Sequence, residues 1–155
     1  MFKIILDMPL PHHLEAATDD IEDIIERDST IQWKIKAQAA RITFRLFSRY
    51  SNPGFSNGDK EEKAWCEYFQ AEFSETLCES HLQLMFKRKT HFIGSKTLNF
   101  VIKLVTAATK INRTMSKMLP FIDNILYETV IPLMLTSARD IRLFEEDPIE
   151  FIRKQ

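Results

Sequence analysis

Apolar side chains recur every three or four residues along most of the chain, the spacing of an amphipathic helix. The clearest case runs from Ile31 to Tyr50, where two neighbouring apolar stripes stand against one basic stripe. The first apolar stripe is Trp33, Ala37, Ala40, Phe44 and Phe47, and the second is Ile35, Ala39, Ile42 and Leu46. So wide an apolar face predicts a helix that packs against more than one neighbour.

Two more long helices are predicted by the same spacing, one from about Lys60 to Arg88 and one from Lys96 to about Met118. The residues of the first that should face inward are Trp65, Phe69, Phe73, Leu77 and Leu84. Asp59 or Asn57 can cap the first helix and Ser95 the second, because these residue types accept hydrogen bonds from free backbone N–H groups.

The last third of the chain predicts a helix interrupted at Pro132, because proline cannot donate a helical hydrogen bond. Residues 137–146 follow as a polar connection. Asp147 and Pro148 then match an N-cap and the first residue of a further helix.

No segment alternates apolar and polar residues with period two, so the chain is predicted to be all-α. Pairs of amphipathic helices joined by tight turns favour an α-solenoid, although a closed helical bundle has the same periodicity. The predicted organisation is one block with these parts: the end of a preceding helix at 1–11, an acidic loop at 12–30 with helix only around 21–27, a first full helix pair at 31–90, a second pair at 94–136, and the start of a next repeat at 147–155. Because the last predicted helix has only begun at residue 155, we expect a piece of a longer solenoid.

Composition narrows the possible functions. The 155 residues are 45% hydrophobic and 28% charged, with a net charge of −1. That balance argues against a dominant nucleic-acid or membrane-surface interaction, which calls for a strongly basic domain. Two cysteines make no disulfide framework and favour a reducing compartment. No apolar run approaches the length of a membrane span.

The sequence offers little that predicts catalysis or metal binding. Cys66, Cys78 and His81 lack the close cysteine spacing of a zinc site, and the acidic run at 145–147 lacks the glycine and spacing of a calcium loop. No catalytic or phosphate-loop motif is present, so we expect neither an enzyme nor a cofactor. The lysine stripe Lys96, Lys103, Lys110 and Lys117 has no interleaved aromatics and predicts a solvated helix face.

Two ordered blocks of sequence resemble a known family of nuclear transport receptors. The first runs from Trp33-Lys34-Ile35-Lys36-Ala37 to Arg45-Leu46-Phe47-Ser48-Arg49-Tyr50-Ser51-Asn52-Pro53-Gly54, and the second combines Val130-Ile131-Pro132-Leu133-Met134 with Leu143-Phe144-Glu145-Glu146-Asp147-Pro148-Ile149-Glu150-Phe151-Ile152-Arg153. Both are similar to motifs of the importin-beta superfamily, in the branch of Ran-binding protein seven, importin seven and importin eight. Ser51, Phe144 and Phe151 depart from its usual Gly, Trp and Tyr.

The resemblance implies a middle segment of a HEAT-repeat solenoid. It implies a non-enzymatic import receptor that moves between cytoplasm and nucleus, binds basic protein cargo of the ribosomal-protein or histone type and Phe-Gly nucleoporins, and responds to Ran-GTP through repeats outside this chain. A HEAT-like scaffold without a transport role is the alternative. The motif residues expected to have structural roles are Trp33, Lys34, Arg45, Phe47, Tyr50, Pro53, Gly54, Pro132, Asp147, Pro148, Glu150, Ile152 and Arg153.

Charge along the chain marks a candidate protein-binding surface. Residues 31–50 and 95–118 carry basic and no acidic side chains, whereas 1–30 and 59–90 are the more acidic parts. If the basic helices are the outer ones of the solenoid, an acidic inner face remains to attract basic cargo. The carboxylates expected to line it are Asp19, Asp20, Glu22, Asp23, Glu72, Glu75 and Glu79.

Overall fold

Helices account for most of the structure, a computed structural model that describes residues 2–18, 20–51, 59–135 and 138–154. Within those ranges the only strand-like pairing is an isolated antiparallel bridge between Ala16 and His91. The all-α prediction is confirmed, and the packed helices are consistent with a HEAT-repeat segment. Among the described helices, none has both the length and the apolar character needed to cross a bilayer.

Twelve α-helices are described, and their bounds are as follows. They are α1 (Phe2–Asp7), α2 (His12–Glu15), α3 (Ile21–Ser29), α4 (Ile31–Tyr50), α5 (Lys60–Glu72), α6 (Ser74–Lys87), α7 (Ser95–Ala108), α8 (Asn112–Met118), α9 (Ile122–Ile125), α10 (Ile131–Met134), α11 (Ala138–Glu146) and α12 (Pro148–Lys154). A 3₁₀ turn at Leu119–Phe121 and a π-helical turn at Leu126–Val130 lie between α8 and α10.

In the acidic segment 12–30, the helix expected around 21–27 is present as α3, whereas α2 lies where only a loop was predicted. Its acidic residues start the second helix: Asp20 Oδ1 accepts the backbone N–H groups of Glu22, at 2.8 Å, and Asp23, at 3.3 Å. Asp23 then pairs with Arg27 one turn later, at 2.5 and 2.7 Å. Capping and an i,i+4 pair thus stabilise this short helix.

The long helix α4 has the predicted bounds, but the face that it buries differs in part. Trp33, Ala40 and Phe47 of the first apolar stripe are buried. The second stripe was wrong at Ile35 and Ile42, which remain 45% and 40% exposed. Lys36 is buried on the core side, only 3% exposed.

The predicted helix from Lys60 to Arg88 is two helices, because the backbone breaks at Phe73. Asp59 caps α5 by accepting the Glu61 N–H at 3.0 Å, as predicted. Phe69 is buried, whereas Trp65 and Phe73, which were also expected inside, are 47% and 42% exposed.

The predicted helix from Lys96 to Met118 is likewise divided, into α7 and α8. Thr114 supplies a hydrogen-bond donor at the break. Its Oγ1 donates to the carbonyls of Ala108, at 2.5 Å, and Ile111, at 3.1 Å. The N-cap position is Gly94 rather than Ser95. Asp28 of α3 supplies the acceptor instead, because its Oδ1 lies 2.8 Å from the Ser95 backbone nitrogen.

The core lies where α4 and α6 pack against α7. Its fully buried side chains include Phe47, Thr43, His81, Thr97, Val101, Leu104 and Met118. Small residues on α4, such as Ala37 and Ala40, let a neighbouring helix approach closely. Helices α1 and α3 contact α4 as well, so α4 has neighbours on several sides.

The chain divides into two compact units, residues 1–122 and 123–155, whereas one block was predicted. In the second unit, the π-helical turn lies just before Pro132, in accord with the predicted interruption. Residues 138–146, predicted as a polar connection, form α11. Asp147 caps α12 as predicted, accepting the N–H groups of Ile149 and Glu150 at 3.1 and 3.0 Å.

Removing the Asp28 carboxylate should destabilise the protein through a helix that is distant in sequence. The Asp28→Ala variant leaves the Ser95 N–H at the start of α7 without its acceptor, and we expect a loss of about 1 kcal/mol in the free energy of unfolding. Urea denaturation measures this. Glu26→Ala, an exposed position of the same helix, is the matched control and should change stability little. Equal losses in the two variants would contradict the capping role.

Candidate protein-binding surface

Two of the predicted acidic residues, Glu75 and Glu79 of α6, face basic residues of α8. Glu75 accepts a hydrogen bond from Arg113 Nε, and Lys117 Nζ lies 3.6 Å from Glu75 and 3.7 Å from Glu79. The bond from Arg113 lowers the pKa of Glu75. The sequence predicted that acidic and basic helices would present their charges on opposite faces of a solenoid. In the structure, the carboxylates of α6 and the basic side chains of α8 instead lie close enough to offset one another.

The acidic residues around α3 are also partly engaged within the fold. Asp20 caps α3, and Asp23 forms the pair with Arg27 that lowers its own pKa. Arg27 in turn donates to the carbonyl of Ala16 at 2.5 Å, so this pair ties α3 to the segment before it. Glu22 is exposed, and Asp19 lies outside the described residues.

Helix α5 carries a different kind of surface, which the sequence analysis missed. Glu72, the last residue of α5, is exposed. The side chains of Trp65 and Tyr68 are 47% and 51% exposed. Their rings contact each other with centroids 5.5 Å apart, and Trp65 meets Tyr50 of α4 edge-on at 6.3 Å. The spacing of Glu61, Trp65, Tyr68 and Glu72 (i, i+4, i+7, i+11) was the available signal, but Trp65 was assigned to the inward-facing stripe instead.

The first family block stabilises the junctions of α4. Trp33 Nε1 donates to the carbonyl of Leu14 at 3.1 Å, and Phe47 is fully buried. Tyr50 contacts Trp65 and Phe69, which joins the end of α4 to α5. Lys34 and Arg45 are exposed. Pro53 and Gly54 lie outside the described residues.

The second family block lies in the unit 123–155. Asp147 and Pro148 start α12. Within this helix, Arg153 Nη1 lies 3.9 Å from Glu150 Oε2. Pro132 and Ile152 are exposed. These positions thus include a cap and an ion pair, while the apolar Ile152 remains accessible.

Lys36 is a buried cation that the sequence analysis did not single out as a site. Its Nζ donates to the carbonyls of Leu6, at 2.8 Å, and Met8, at 2.6 Å, with Glu15 at 3.9 Å. Burial lowers the pKa of Lys36. The ammonium group replaces the donors that the carbonyls at the end of α1 lack, and so fixes the N-terminal segment on α4.

His81 is a second buried polar group. Its Nδ1 lies 2.8 Å from the Leu77 carbonyl, which can only accept, so Nδ1 carries the proton. Its Nε2 lies 3.2 Å from Thr43 Oγ1, joining α6 to α4. Burial lowers the pKa of His81, which favours the neutral ring.

The described residues contain no group of three or more metal-ligating side chains. Both cysteines are buried free thiols. Burial raises the pKa of Cys66, and that of Cys78 to about 11, which keeps the thiols protonated and poorly nucleophilic at neutral pH.

Curated proteins from plants and animals are similar to the chain along most of its length. It is 32% identical over 141 residues to importin-8 of Danio rerio, covering 90% of the chain and 13% of that protein. It is 29% identical over 155 residues to the importin beta-like SAD2 homolog of Arabidopsis thaliana, covering 99% of the chain and 14% of that protein. Importin-8 of Homo sapiens is 27% identical over 154 residues, which cover 99% of the chain and 14% of that relative. The chain thus spans a small part of each relative, and no family model or solved structure matches it.

Replacing Lys36 should destabilise the N-terminal segment. The Lys36→Ala variant leaves two carbonyls without their donor, and we expect a loss of about 1–3 kcal/mol in the free energy of unfolding. Amide exchange of α1 should quicken more than that of α7. Lys34→Ala, the exposed neighbour, is the control and should behave like the parent protein. Unchanged exchange of α1 in Lys36→Ala would refute the anchoring role.

His81 should make stability depend on pH below its ordinary pKa of 6.5. Because the folded state holds the ring neutral, the unfolded state takes up the proton first, and stability falls as pH drops below about 6.5. The slope contributed by one such group is at most about 1.4 kcal/mol per pH unit. Urea midpoints at pH 7.5 and 5.5 measure the change. The difference should shrink in His81→Gln and persist in His91→Gln, where the ring is exposed. An undiminished difference in His81→Gln would exclude this assignment.

Proposed function

Because this chain belongs to the importin-beta family, on the importin-8 branch, we propose that it forms part of the cargo-carrying solenoid of a nuclear import receptor. The observation that carries the proposal is the similarity to importin-8 and the SAD2 homolog over 90–99% of the chain. The helical structure is compatible with this role, since HEAT repeats present extended surfaces to protein partners.

In this proposal the chain acts by reversible binding, without catalysis or cofactor, in a receptor that moves between cytoplasm and nucleus. Its cargo is a basic protein of the ribosomal-protein or histone type, and Phe-Gly nucleoporins carry the complex through the pore. Ran-GTP releases the cargo by acting on repeats outside this chain. The relatives named importins support the class of receptor, and the specific partners are our proposal.

The carboxylates proposed for cargo contact are those directed to solvent. Glu22 and Glu72 are exposed and belong to this set. Asp20 contributes charge beside its capping role. Asp23, Glu75 and Glu79 contribute less, because each lies close to a basic side chain. Ion pairs that already exist within the fold leave less net field for a partner.

The proposal predicts that the purified chain retains basic proteins and Phe-Gly segments in a pull-down. We expect retention of the basic protein to fall as salt rises from 50 to 300 mM (roughly the range in which screening acts on exposed charges), and retention of the Phe-Gly segment to change much less. An acidic protein of equal size is the control.

A scaffold without a transport role predicts a different outcome of the same experiment. If neither the basic protein nor the Phe-Gly segment is retained at any salt concentration, while the chain remains folded by circular dichroism, the carrier function fails for this segment. Retention of the acidic control to the same extent would also contradict it.

A further inference from the structure

One exposed stripe of α5 combines aromatic rings with carboxylates. Glu61, Trp65, Tyr68 and Glu72 follow one another at the spacing of a single helix face, and all four are exposed. Contiguous exposed apolar surface marks binding sites more often than scattered single side chains do. The face thus offers apolar ring surface between two negative ends.

The rings of this stripe are held in place from behind. Trp65 contacts Tyr50 edge-on, at 6.3 Å between centroids, and Tyr68 contacts Phe73 at 5.8 Å. Phe69, which is buried, contacts both Tyr50 and Phe73. A partner would therefore meet rings that are already ordered, which lowers the entropic cost of binding.

The chain itself shows which group such a surface accepts. Arg49 places its guanidinium carbon 5.3 Å from the centroid of Tyr50, while its Nη2 lies 3.8 Å from Glu62 Oε1. One aromatic ring and one carboxylate of this region thus hold a guanidinium between them. Trp65 with Glu61, and Tyr68 with Glu72, repeat that combination at i,i+4 spacing.

The two carboxylates of the stripe, Glu61 and Glu72, are available to pair with a cationic partner. Within the described residues, the structure gives no ion pair to Glu61 or Glu72. The lysines of α5, Lys60 and Lys63, project at least about 80° away from every residue of the stripe at 100° per residue. The complementary ligand is therefore a cation that can also stack on an aromatic ring.

We propose that this stripe binds an arginine-containing segment of a partner protein, with guanidinium groups stacked on Trp65 and Tyr68 and paired with Glu61 and Glu72. Arginine fits better than lysine because its planar group stacks and pairs at once. The stripe covers about 16 Å of helix, which matches about five residues of extended chain. This inference deepens the proposed function by naming the cargo chemistry and its site.

Tryptophan fluorescence provides a direct test, because the chain has two tryptophans and Trp33 is 3% exposed whereas Trp65 is 47% exposed. Titration with a short alternating Arg-Ser peptide should change the emission and protect it from acrylamide quenching. A Lys-Ser peptide of the same length should bind more weakly, and a Phe-Gly peptide should not compete. Equal binding of the Phe-Gly peptide would overturn the cation assignment.

Variants locate the site, with anisotropy of a labelled Arg-Ser peptide as the readout. Trp65→Ala and Tyr68→Leu should each weaken binding about 2- to 30-fold, the range of a cation–aromatic contact. The double variant Glu61→Gln with Glu72→Gln should weaken it at low salt and lose that difference at high salt. Glu67→Gln, on another side of α5, is the matched control. Circular dichroism checks that each variant is folded. If Trp65→Ala unfolds, Tyr68→Leu still tests the site, because leucine keeps the apolar volume and removes only the aromatic ring.

The outcomes separate this inference from the proposed function. If the chain retains basic proteins but Tyr68→Leu and the glutamate variant bind the peptide like the parent, the stripe is not the site and the receptor role stands. If the peptide binds through the stripe while Phe-Gly segments and basic proteins are not retained, the stripe is confirmed and the carrier function fails. No peptide binding by the folded chain refutes the inference outright.

Discussion

Burial of one face of α4 is the constraint on which the rest of the first unit depends. That face packs on α7, and α1 and α3 also contact α4. The short helices α1 and α2 before α3 leave carbonyls at their ends without helical donors, so these carbonyls need donors from outside. Trp33 and Lys36 supply them, through bonds to Leu14, Leu6 and Met8. A lysine is costly to bury, and its persistence here reflects the greater cost of leaving those carbonyls without partners.

A consequence of this arrangement is the exposed aromatic surface of α5. Tyr50 at the end of α4 contacts Trp65 and Phe69, which ties α5 to α4. The break at Phe73 then lets α6 direct Cys78, Leu82 and Met85 into the core. Trp65 and Tyr68 of α5 remain on the outside, 47% and 51% exposed.

The sequence predicted what local chemistry determines. The bounds of α4 and the caps at Asp59 and Asp147 follow from periodicity and from side chains that accept their own helix's N–H groups. The breaks at Phe73 and after Ala108 were not predicted, because the apolar spacing runs through both positions without interruption. The same holds for Asp28, which caps a helix 67 residues away, and for Glu75, whose partner is Arg113. At the candidate surface, sequence counted the carboxylates correctly but could not tell paired from unpaired ones.

The charges of the chain determine whether long-range attraction or short-range contact selects a partner for the α5 stripe. The net charge of −1 is too small to steer a basic protein strongly, and screening limits exposed charges to about 10 Å at 0.1 M salt. Glu75 and Glu79 are already neutralised by Arg113 and Lys117. Selectivity must then arise from chemistry at close range, where an ordered ring and a nearby carboxylate distinguish a guanidinium from an ammonium group. The aromatic stripe supplies that combination, and the acidic residues alone do not.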